Sequence, residues 1–343
     1  MRKLLNTLYV TTPESYLCKD GENVVVRIKD KEAFRIPVHN IEGVVTFGYM
    51  GVSPGLIQLC TRQNVGVTFL SPHGAFVGRV SGETKGNVLL RRTQYRIADD
   101  KEKSLQLSTV FIAGKIANCR SVIERFKRDN DREEYRDNIE SISGLLRRCR
   151  INAMKASDPD TLRGIEGEAA NLYFSLFDNM ILAQKDEFAF NGRNRRPPKD
   201  KVNALLSFIY TLLAHEVQSA LETVGLDPYV GFLHTDRPGR ASLALDMMEE
   251  LRAYMADRLV LSLINRKQLN GSGFIEHGSN GVVMEDETKK SVLQAWQKRK
   301  HEKIMHPFQQ ESVPLGLIPY VQAMLMSRYL RGDLDNYPVF LMQ

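Results

Sequence analysis

The chain lacks the features of a secreted, membrane-spanning or disulfide-stabilised protein. Its 343 residues include only four cysteines, and no two of them form a C-x-x-C pair, which argues against a zinc ribbon or a thioredoxin-like site. No uninterrupted apolar run reaches the ~18 residues of a membrane span. The N-terminus is basic but is not followed by the long apolar stretch of a signal peptide. We therefore expect a protein of the reducing cytoplasm that has no membrane partner.

The common nucleotide-binding motifs are also missing. Neither G-x-x-x-x-G-K-[ST] nor G-x-G-x-x-G occurs, so ATP or dinucleotide binding has no support. The segment HEKIMH at 301–306 contains two histidines, but they are five residues apart. A zinc peptidase places its histidines four residues apart so that both lie on one helix face, and we therefore reject that class.

Positive charge is in mild excess and is concentrated in two segments. Lys and Arg number 47 against 41 Asp and Glu, which gives a net charge of +6. The segments 190–201 and 289–303 are the most basic, and the second surrounds the only tryptophan, Trp296. Such segments favour contact with nucleic-acid phosphates, although a solvated loop and a solvated helix face would look the same. The candidate DNA-binding residues are Arg193, Arg195, Arg196, Lys199, Lys298 and Arg299.

The pattern of apolar residues changes near residue 90. Before it, short runs rich in β-branched and aromatic residues predict strands, interrupted by one helix with Ser53 as N-cap and Pro54 in its first turn. After it, helical periodicity prevails. We predict an α+β fold with a β domain at 1–85, a linker at 86–100 and an all-α domain at 101–343. The predicted helices are about 104–128, 133–153, 159–182, 200–224, 240–264, 285–303 and 315–330.

Glu166 occupies an unusual position between Gly164 and Gly167 within a helical pattern. Each glycine costs roughly 1 kcal/mol of helix stability relative to alanine. That cost is tolerable where another backbone or a ligand must come close. Glu166 also borders an apolar stripe, where a carboxylate needs a partner because an isolated buried charge is expensive.

A histidine and two acids lie close together further along the chain. His234 lies in the loop HTDRPGR, where Pro238 and Gly239 favour a tight turn of the kind that places side chains at the mouth of a cleft. Asp246 and Glu249 are three residues apart and so share a helix face. The plainer interpretations are a structural histidine and a surface acid paired with Arg252 or water.

Together, Glu166, His234 and Glu249 would supply two carboxylates and one imidazole if the fold brings them together. That ligand set suits Mn²⁺ or Mg²⁺. Asp246, one turn away, would be a further ligand or would orient one. A site of this kind can bind a phosphate oxygen and activate a hydroxyl.

Three segments resemble the CRISPR adaptation integrase family, the first of the CRISPR-associated proteins. The resemblance is strong over about 159–265, weaker over 1–90, and the last 60 residues add little to it. The weaker region contains LLNTLYV, VVTFGYMGVS and VTFLSPHGAFVGRV. The three strong segments are LRGIEGEAANLYF, FNGRNRRPPKDKVNALLSFIYTLL and GLDPYVGFLHTDRPGRASLALDMMEELRAYMADRLVLSLIN.

The resemblance implies a fold and a site. It implies a β-sandwich-like N-terminal domain that mediates homodimerisation, followed by a larger α-helical catalytic domain. It assigns the divalent-metal ligands to Glu166, His234 and Glu249, with Asp246 as an accessory acid. Some branches of the family have Asp where this chain has Glu249, and the extra methylene alters the reach of that ligand.

The resemblance also implies an activity and partners. The enzyme would join the 3′-hydroxyl of short double-stranded DNA fragments to a CRISPR repeat array by transesterification. A small ferredoxin-like CRISPR-associated partner would bridge two catalytic dimers into a hetero-hexamer. Two alternatives remain open: a stand-alone metal-dependent nuclease acting on branched or single-stranded nucleic acid, and a non-catalytic nucleic-acid scaffold.

Overall fold

The chain folds into two compact units. The first is formed by 1–85 together with 284–301, and the second by 86–283 together with 302–343. The computed structural model describes residues 6–48, 50–72, 76–80, 82, 88–130, 133–195, 197–278 and 281–342. Of 133–135 it describes the backbone only.

The first unit contains two four-stranded sheets. In one, the order is β1-β5-β7-β8, with the last pair antiparallel and the other pairs parallel. In the other, the order is β4-β3-β2-β6, with only the last pair parallel. The strands are β1 (Asn6–Val10), β2 (Ser15–Asp20), β3 (Asn23–Ile28), β4 (Lys31–Pro37), β5 (Ile41–Phe47), β6 (Gly51–Val52), β7 (Gly66–Leu70) and β8 (Phe76–Val80).

One hydrophobic core is shared by both sheets and by helix α1 (Pro54–Arg62). Val24 of β3, Val44 of β5 and Leu56 of α1 are completely buried in it. The predicted start of α1 is confirmed, since the Ser53 hydroxyl accepts the Leu56 N–H at 3.2 Å. The predicted N-terminal domain of 1–85 omitted one element of this unit, helix α9 (Asp286–Lys300), which returns to it from much later in the sequence.

The second unit is mainly helical, so the fold is a mixed α+β one. Its helices are α2 (Val88–Asp99), α3 (Lys101–Asp129), α4 (Glu133–Ala153), α5 (Pro159–Ser175), α6 (Lys201–Val224), α7 (Ser242–Leu251), α8 (Arg258–Asn265) and α10 (Ile318–Leu330). It is not all-α as predicted, because β11 (Lys303–Met305) and β12 (Ser312–Pro314) form a hairpin. A second short hairpin joins β9 (Phe274–Glu276) to β10 (Val282–Met284), which ends at the boundary between the units.

The segment 86–100 was predicted to be a linker, and here the prediction is wrong. Helix α2 occupies most of it, and Gln94 in that helix is completely buried. The Gln94 amide donates to the backbone oxygens of Asp227 and Val230 and accepts the Asp227 N–H. A glutamine whose amide is satisfied in this way ties α2 firmly into the helical unit.

Helices α3, α5, α6 and α7 position the candidate site. Helix α3 packs against α5 and α7, and α6 packs against α7 and α10. Among the described residues, α6 is also the one helix long and apolar enough to cross a membrane by composition. However, 61% of its most apolar window is buried inside the structure, as expected for the core helix of a bundle.

The predicted helix at 240–264 is interrupted. Helix α7 ends at Leu251, a π-helical turn follows over Arg252–Asp257, and α8 then continues. The extra residue in a π turn rotates the side chains that follow it, and such turns are frequent at functional sites.

Candidate functional site

The structure brings Glu166 and Glu249 together around a buried lysine. Lys115 of α3 donates from Nζ to Glu166 Oε1 of α5 at 2.5 Å. The same Nζ lies 2.9 Å from Glu249 Oε2 of α7. Three helices each contribute one charge to this cluster, which is closed to solvent at Glu249, 2% exposed, and partly open at Glu166, 28% exposed.

Arg252, the first residue of the π turn, adds a second cation. Its Nη1 lies 2.9 Å from Glu249 Oε1. The sequence allowed a surface pair between these two residues, and the structure shows the pair but buries it. Burial opposes ionisation of Glu249, but the charges of Arg252 and Lys115 outweigh it and hold the pKa of Glu249 at about 2. The carboxylate is therefore ionised at neutral pH.

Lys115 is likewise held in its charged form. Burial alone would lower the pKa of the ammonium, but Glu249 and Glu166 attract it strongly enough to raise that pKa above its usual value. Lys115 therefore remains a cation between two anions, and it neutralises the repulsion that two close carboxylates would otherwise suffer.

His234 is oriented by Asp246. His234 Nδ1 lies 2.6 Å from Asp246 Oδ1, and the same oxygen accepts the His234 backbone N–H at 3.0 Å. The other oxygen accepts the N–H groups of Phe232 and Leu233 at 2.6 and 2.9 Å. Asp246 is completely buried and its oxygens are occupied by the loop. These contacts suit a residue that orients the imidazole, and the hydrogen bond to the ring engages Nδ1 and not Nε2.

Gly231 permits this arrangement. A Cβ atom at this position would lie 2.7 Å from Asp246 Oδ2 and 2.8 Å from the Ser242 backbone. A glycine is therefore needed for the loop to wrap closely around the Asp246 carboxylate.

The residues present fit a hard divalent cation, although they are not yet arranged around one. Within the described part of the chain, no three His, Cys, Asp or Glu side chains stand in a metal-binding group. Glu249 Oε2 is buried and has an ion-pair contact with Lys115 but no well-directed hydrogen bond. His234 lies near enough to help stabilise the Glu249 anion. Two carboxylates and a free imidazole nitrogen are suitable donors for Mn²⁺ or Mg²⁺ once Lys115 moves aside.

A small aromatic pocket adjoins the charged cluster and shares Lys115 and Arg252 with it. At its base, Asp257 accepts hydrogen bonds from the hydroxyls of Tyr173 and Tyr210 at 3.0 and 2.6 Å. Burial raises the pKa of Asp257 to about 6. The π turn thus delivers Arg252 to the carboxylates at its start and Asp257 to the pocket at its end.

The structure places the predicted DNA-binding residues of the loop before α6 in different environments. Arg195 and Lys199 are exposed. Arg193 is half-buried: it donates to Asn203 Oδ1 at 2.6 Å and to Ser207 Oγ at 3.1 Å, so its guanidinium is held within the protein. The prediction for Arg196 lies outside the described residues.

In helix α9, only one of the two predicted contacts is accessible. Lys298 is exposed, whereas Arg299 is 8% exposed and cannot present its charge to a DNA backbone as predicted. Trp296 is completely buried and packs the helix instead of offering its ring to a base. Lys300 is also buried, with its ammonium 2.8 Å from Glu42.

Sequence reasoning missed Lys115. A signal was present, because Lys115 follows Phe111, Ile112 and Ala113 and precedes Ile116 in the most apolar part of α3. A lysine in such a stretch is rarely buried without a partner, so it indicates a buried anion on a neighbouring helix.

The chain is similar to proteins of one known family. The family model described as "CRISPR associated protein Cas1" matches residues 8–298. A CRISPR-associated endonuclease Cas1 from Chlorobaculum tepidum is 49% identical over 341 residues, covering 99% of both chains. Another from Rhodospirillum rubrum is 49% identical over 345 residues, covering 98% of both chains.

Solved structures share the fold at lower identity. A Cas1 protein from Thermotoga maritima has a TM-score of 0.83 at 23% identity, covering 97% of this chain and all of that one. A casposase bound to its integration product has a TM-score of 0.83 at 21% identity, covering 98% and 93%. A chain of a Cas6-RT-Cas1–Cas2 complex has a TM-score of 0.83 at 20% identity, covering 100% of this chain and 37% of that chain. The chain therefore belongs to the Cas1 family of CRISPR-associated endonucleases.

Proposed function

We propose that this endonuclease inserts short DNA fragments into a CRISPR array, using a divalent cation held by Glu166, Glu249 and His234. The main support is the cluster in which Glu166 and Glu249 both contact Lys115. Beside it lies the His234 imidazole, which Asp246 orients. Mn²⁺ or Mg²⁺ at these donors would polarise the scissile phosphate and lower the pKa of the attacking hydroxyl.

The protein's own residues account for substrate binding. If the two carboxylates held a cation, Lys115 and Arg252 would be available to the negatively charged phosphate instead of to these acids. Both side chains are largely buried, so their attraction for a phosphate is only weakly screened. Asp246 keeps the proton on His234 Nδ1 and so presents Nε2 to the reaction.

The reaction we propose is a direct transesterification. The 3′-hydroxyl of the donor DNA attacks a phosphodiester at the edge of a repeat, the new ester bond forms, and the displaced 3′-oxygen of the target leaves with a proton. No covalent protein intermediate is required. Exposed Arg195, Lys199 and Lys298 hold donor and target together, so proximity contributes to the rate.

We extend the proposal to the assembly. Family membership and the likeness to a chain of a Cas1–Cas2 complex support a homodimer that works with a small CRISPR-associated partner. We take that partner to be ferredoxin-like and the assembly to be a hetero-hexamer on double-stranded DNA. The reducing cytoplasm is the expected compartment.

A joining assay tests this function. Donor duplexes ending in 3′-OH or 3′-H are incubated with a repeat-containing plasmid and purified protein, with Mn²⁺ or EDTA and with or without the small partner. Joining should require both the 3′-OH and the metal and should become site-selective with the partner. Glu166→Gln should abolish it, whereas Glu168→Gln, an exposed acid on the same helix, should not.

The same assay distinguishes the stand-alone nuclease. Water can replace the 3′-hydroxyl at this site, and the product is then a nick. Metal-dependent cleavage with no joining under any condition would favour the nuclease. Equal joining of 3′-H donors, or a trapped protein–DNA adduct, would contradict transesterification.

A further inference from the structure

The segment that ends the described part of the chain forms a strap against two helices of the candidate site. We use "C-terminal strap" for residues 337–342. Tyr337 and Phe340 in this segment are 4% and 2% exposed. The strap contacts both α3, which carries Lys115, and α7, which carries Glu249.

On the α7 side, the strap binds the residue next to the candidate ligand. Glu250 is completely buried, and its Oε1 accepts the Tyr337 hydroxyl at 2.5 Å. Its Oε2 accepts the Phe340 backbone N–H. Gln322 of α10 donates to the same carboxylate at 3.2 Å. Glu250 is thus held in place by bonds that set the position of the turn containing Glu249.

On the α3 side, the strap contacts residues on both sides of Lys115. Asn118 is 1% exposed; it donates to the Phe340 and Glu250 backbone oxygens at 2.8 and 2.6 Å and accepts the Met342 N–H at 2.8 Å. One amide therefore links α3, α7 and the strap.

Gly114, the residue before Lys115, shows how tightly the strap lies. A Cβ atom there would come within 2.3 Å of Val339 Cγ2, closer than any real contact allows, but 3.4 Å from Val339 Cβ. The glycine is required at this point because the strap side chain occupies the space above the α3 backbone.

We infer that the C-terminal strap positions the catalytic site by fixing α3 against α7, so that Lys115 and Glu249 meet at the right separation. Gly114, Asn118 and Glu250 are positioning residues in this account, since they act through their neighbours. The effect of the strap on catalysis rests on the proposed function. Its effect on the placement of Lys115 against Glu249 does not.

Size compensation provides the test. Gly114→Ala should displace the strap, and Val339→Ala in the same chain should remove the clash, because it removes the Cγ2 atom at 2.3 Å and leaves the Val339 Cβ atom at 3.4 Å. Gly144→Ala on α4, where no atom lies within 4 Å of the added methyl group, is the matched control. If Gly114→Ala fails to fold, Tyr337→Phe replaces it, since it removes only the hydroxyl, which donates to Glu250 and accepts from Gln322.

Two readouts are measured on the full chain. Calorimetric titration should show Mn²⁺ affinity reduced by about 10-fold or more in Gly114→Ala, the range for groups that orient metal ligands, with restoration in the double variant. Acetylation of Lys115, followed by mass spectrometry without metal, should become faster in Gly114→Ala and return to the wild-type rate in the double variant. DNA affinity should be unchanged throughout.

The outcomes separate this inference from the proposed function. If the wild-type protein binds no Mn²⁺, the metal site fails, yet the acetylation series still decides whether the strap positions Lys115. If Gly114→Ala matches Gly144→Ala in both readouts, the strap has no positioning role. If Gly114→Ala folds but adding Val339→Ala does not restore its readouts, the inference is also overturned.

Discussion

At the residue scale, the central feature is a lysine that stands between two carboxylates. Removing one member of a buried ion pair costs far more than the pair contributes, because the remaining charge is left without compensation. Lys115 is only 12% exposed and neutralises both Glu166 and Glu249. Under the proposed function, a divalent cation would bind the same two acids, so it would compete with Lys115 for one position.

This competition gives a first prediction. Lys115→Met should lower the free energy of unfolding by about 3–5 kcal/mol in EDTA, the range for breaking a buried pair. Added Mn²⁺ should restore more stability to this variant than it adds to the wild-type protein. Urea denaturation with and without Mn²⁺ measures both effects.

Lys127 on the same helix is the matched control. It pairs with Glu140 at 2.5 Å, but Lys127 is 29% exposed and Glu140 55%, against 12% for Lys115 and 2% for Glu249. Lys127→Met should therefore cost no more than about 1 kcal/mol and respond to Mn²⁺ like the wild-type protein. Equal losses for the two lysines would show that Lys115 does not neutralise the site.

The roles of single residues were only partly predictable from the sequence. Glu166 stood out because it borders an apolar stripe between two glycines, whereas Glu249 was singled out by its spacing from Asp246 and by the family resemblance. From the sequence, Asp246 could be a metal ligand or a residue that orients one, because either role places an acid on the same helix face. The sequence could not show that its oxygens accept the backbone N–H groups of 232–234, which favours the orienting role. Arg299 was misjudged because a long side chain can be buried in a basic segment.

At the element scale, the π turn between α7 and α8 connects the charged cluster to the aromatic pocket. It carries Arg252 to Glu249 at one end and Asp257 to Tyr173 and Tyr210 at the other. The sequence predicted one continuous helix here. Hydrophobic periodicity averages over several turns, so it does not detect a single inserted residue.

Asp257 gives a pH-dependent prediction. Burial raises its pKa from 3.8 in the unfolded chain to about 6 in the native protein. The native state therefore binds this proton more tightly, and the contribution of Asp257 to stability falls as pH rises from about 4 to about 6. The change is at most about 3 kcal/mol, since one pKa unit corresponds to about 1.4 kcal/mol.

The measurement compares unfolding free energies of the wild-type protein and Asp257→Asn between pH 4 and pH 7. The difference between the two curves should change across this interval and become constant above it. Asp333→Asn, an exposed acid, is the control and should follow the wild-type curve. Parallel curves for the wild-type protein and Asp257→Asn would contradict the account.

At the scale of the whole molecule, the chain's charge is available to DNA only where it is exposed. The net charge of +6 includes residues such as Arg193, Arg299 and Lys300 that the fold holds within the protein. The amino-acid composition therefore indicated an anionic partner, but it could not identify which basic residues contact that partner. The same limit applies to the C-terminal strap, which forms part of the helical core through contacts that no local pattern reveals.

DNA affinity should depend on the exposed cations. Arg195→Glu and Lys298→Glu should each weaken binding to unrelated duplexes about equally and reduce the slope of log affinity against log salt by roughly 0.9 per lost phosphate contact. Lys29→Glu, an exposed lysine outside both basic segments, makes the same charge change and should have a smaller effect. Equal effects of all three would mean that only net charge matters, and fluorescence anisotropy across a salt series distinguishes the two results.

The central claim is that Glu166, Glu249 and His234 hold one divalent cation, and calorimetric Mn²⁺ titration tests it most directly. The wild-type protein and Glu168→Gln should bind Mn²⁺ with the same affinity. Glu166→Gln, Glu249→Gln and His234→Ala should each lose binding while remaining folded by circular dichroism. Normal Mn²⁺ binding by all three folded variants would contradict the account.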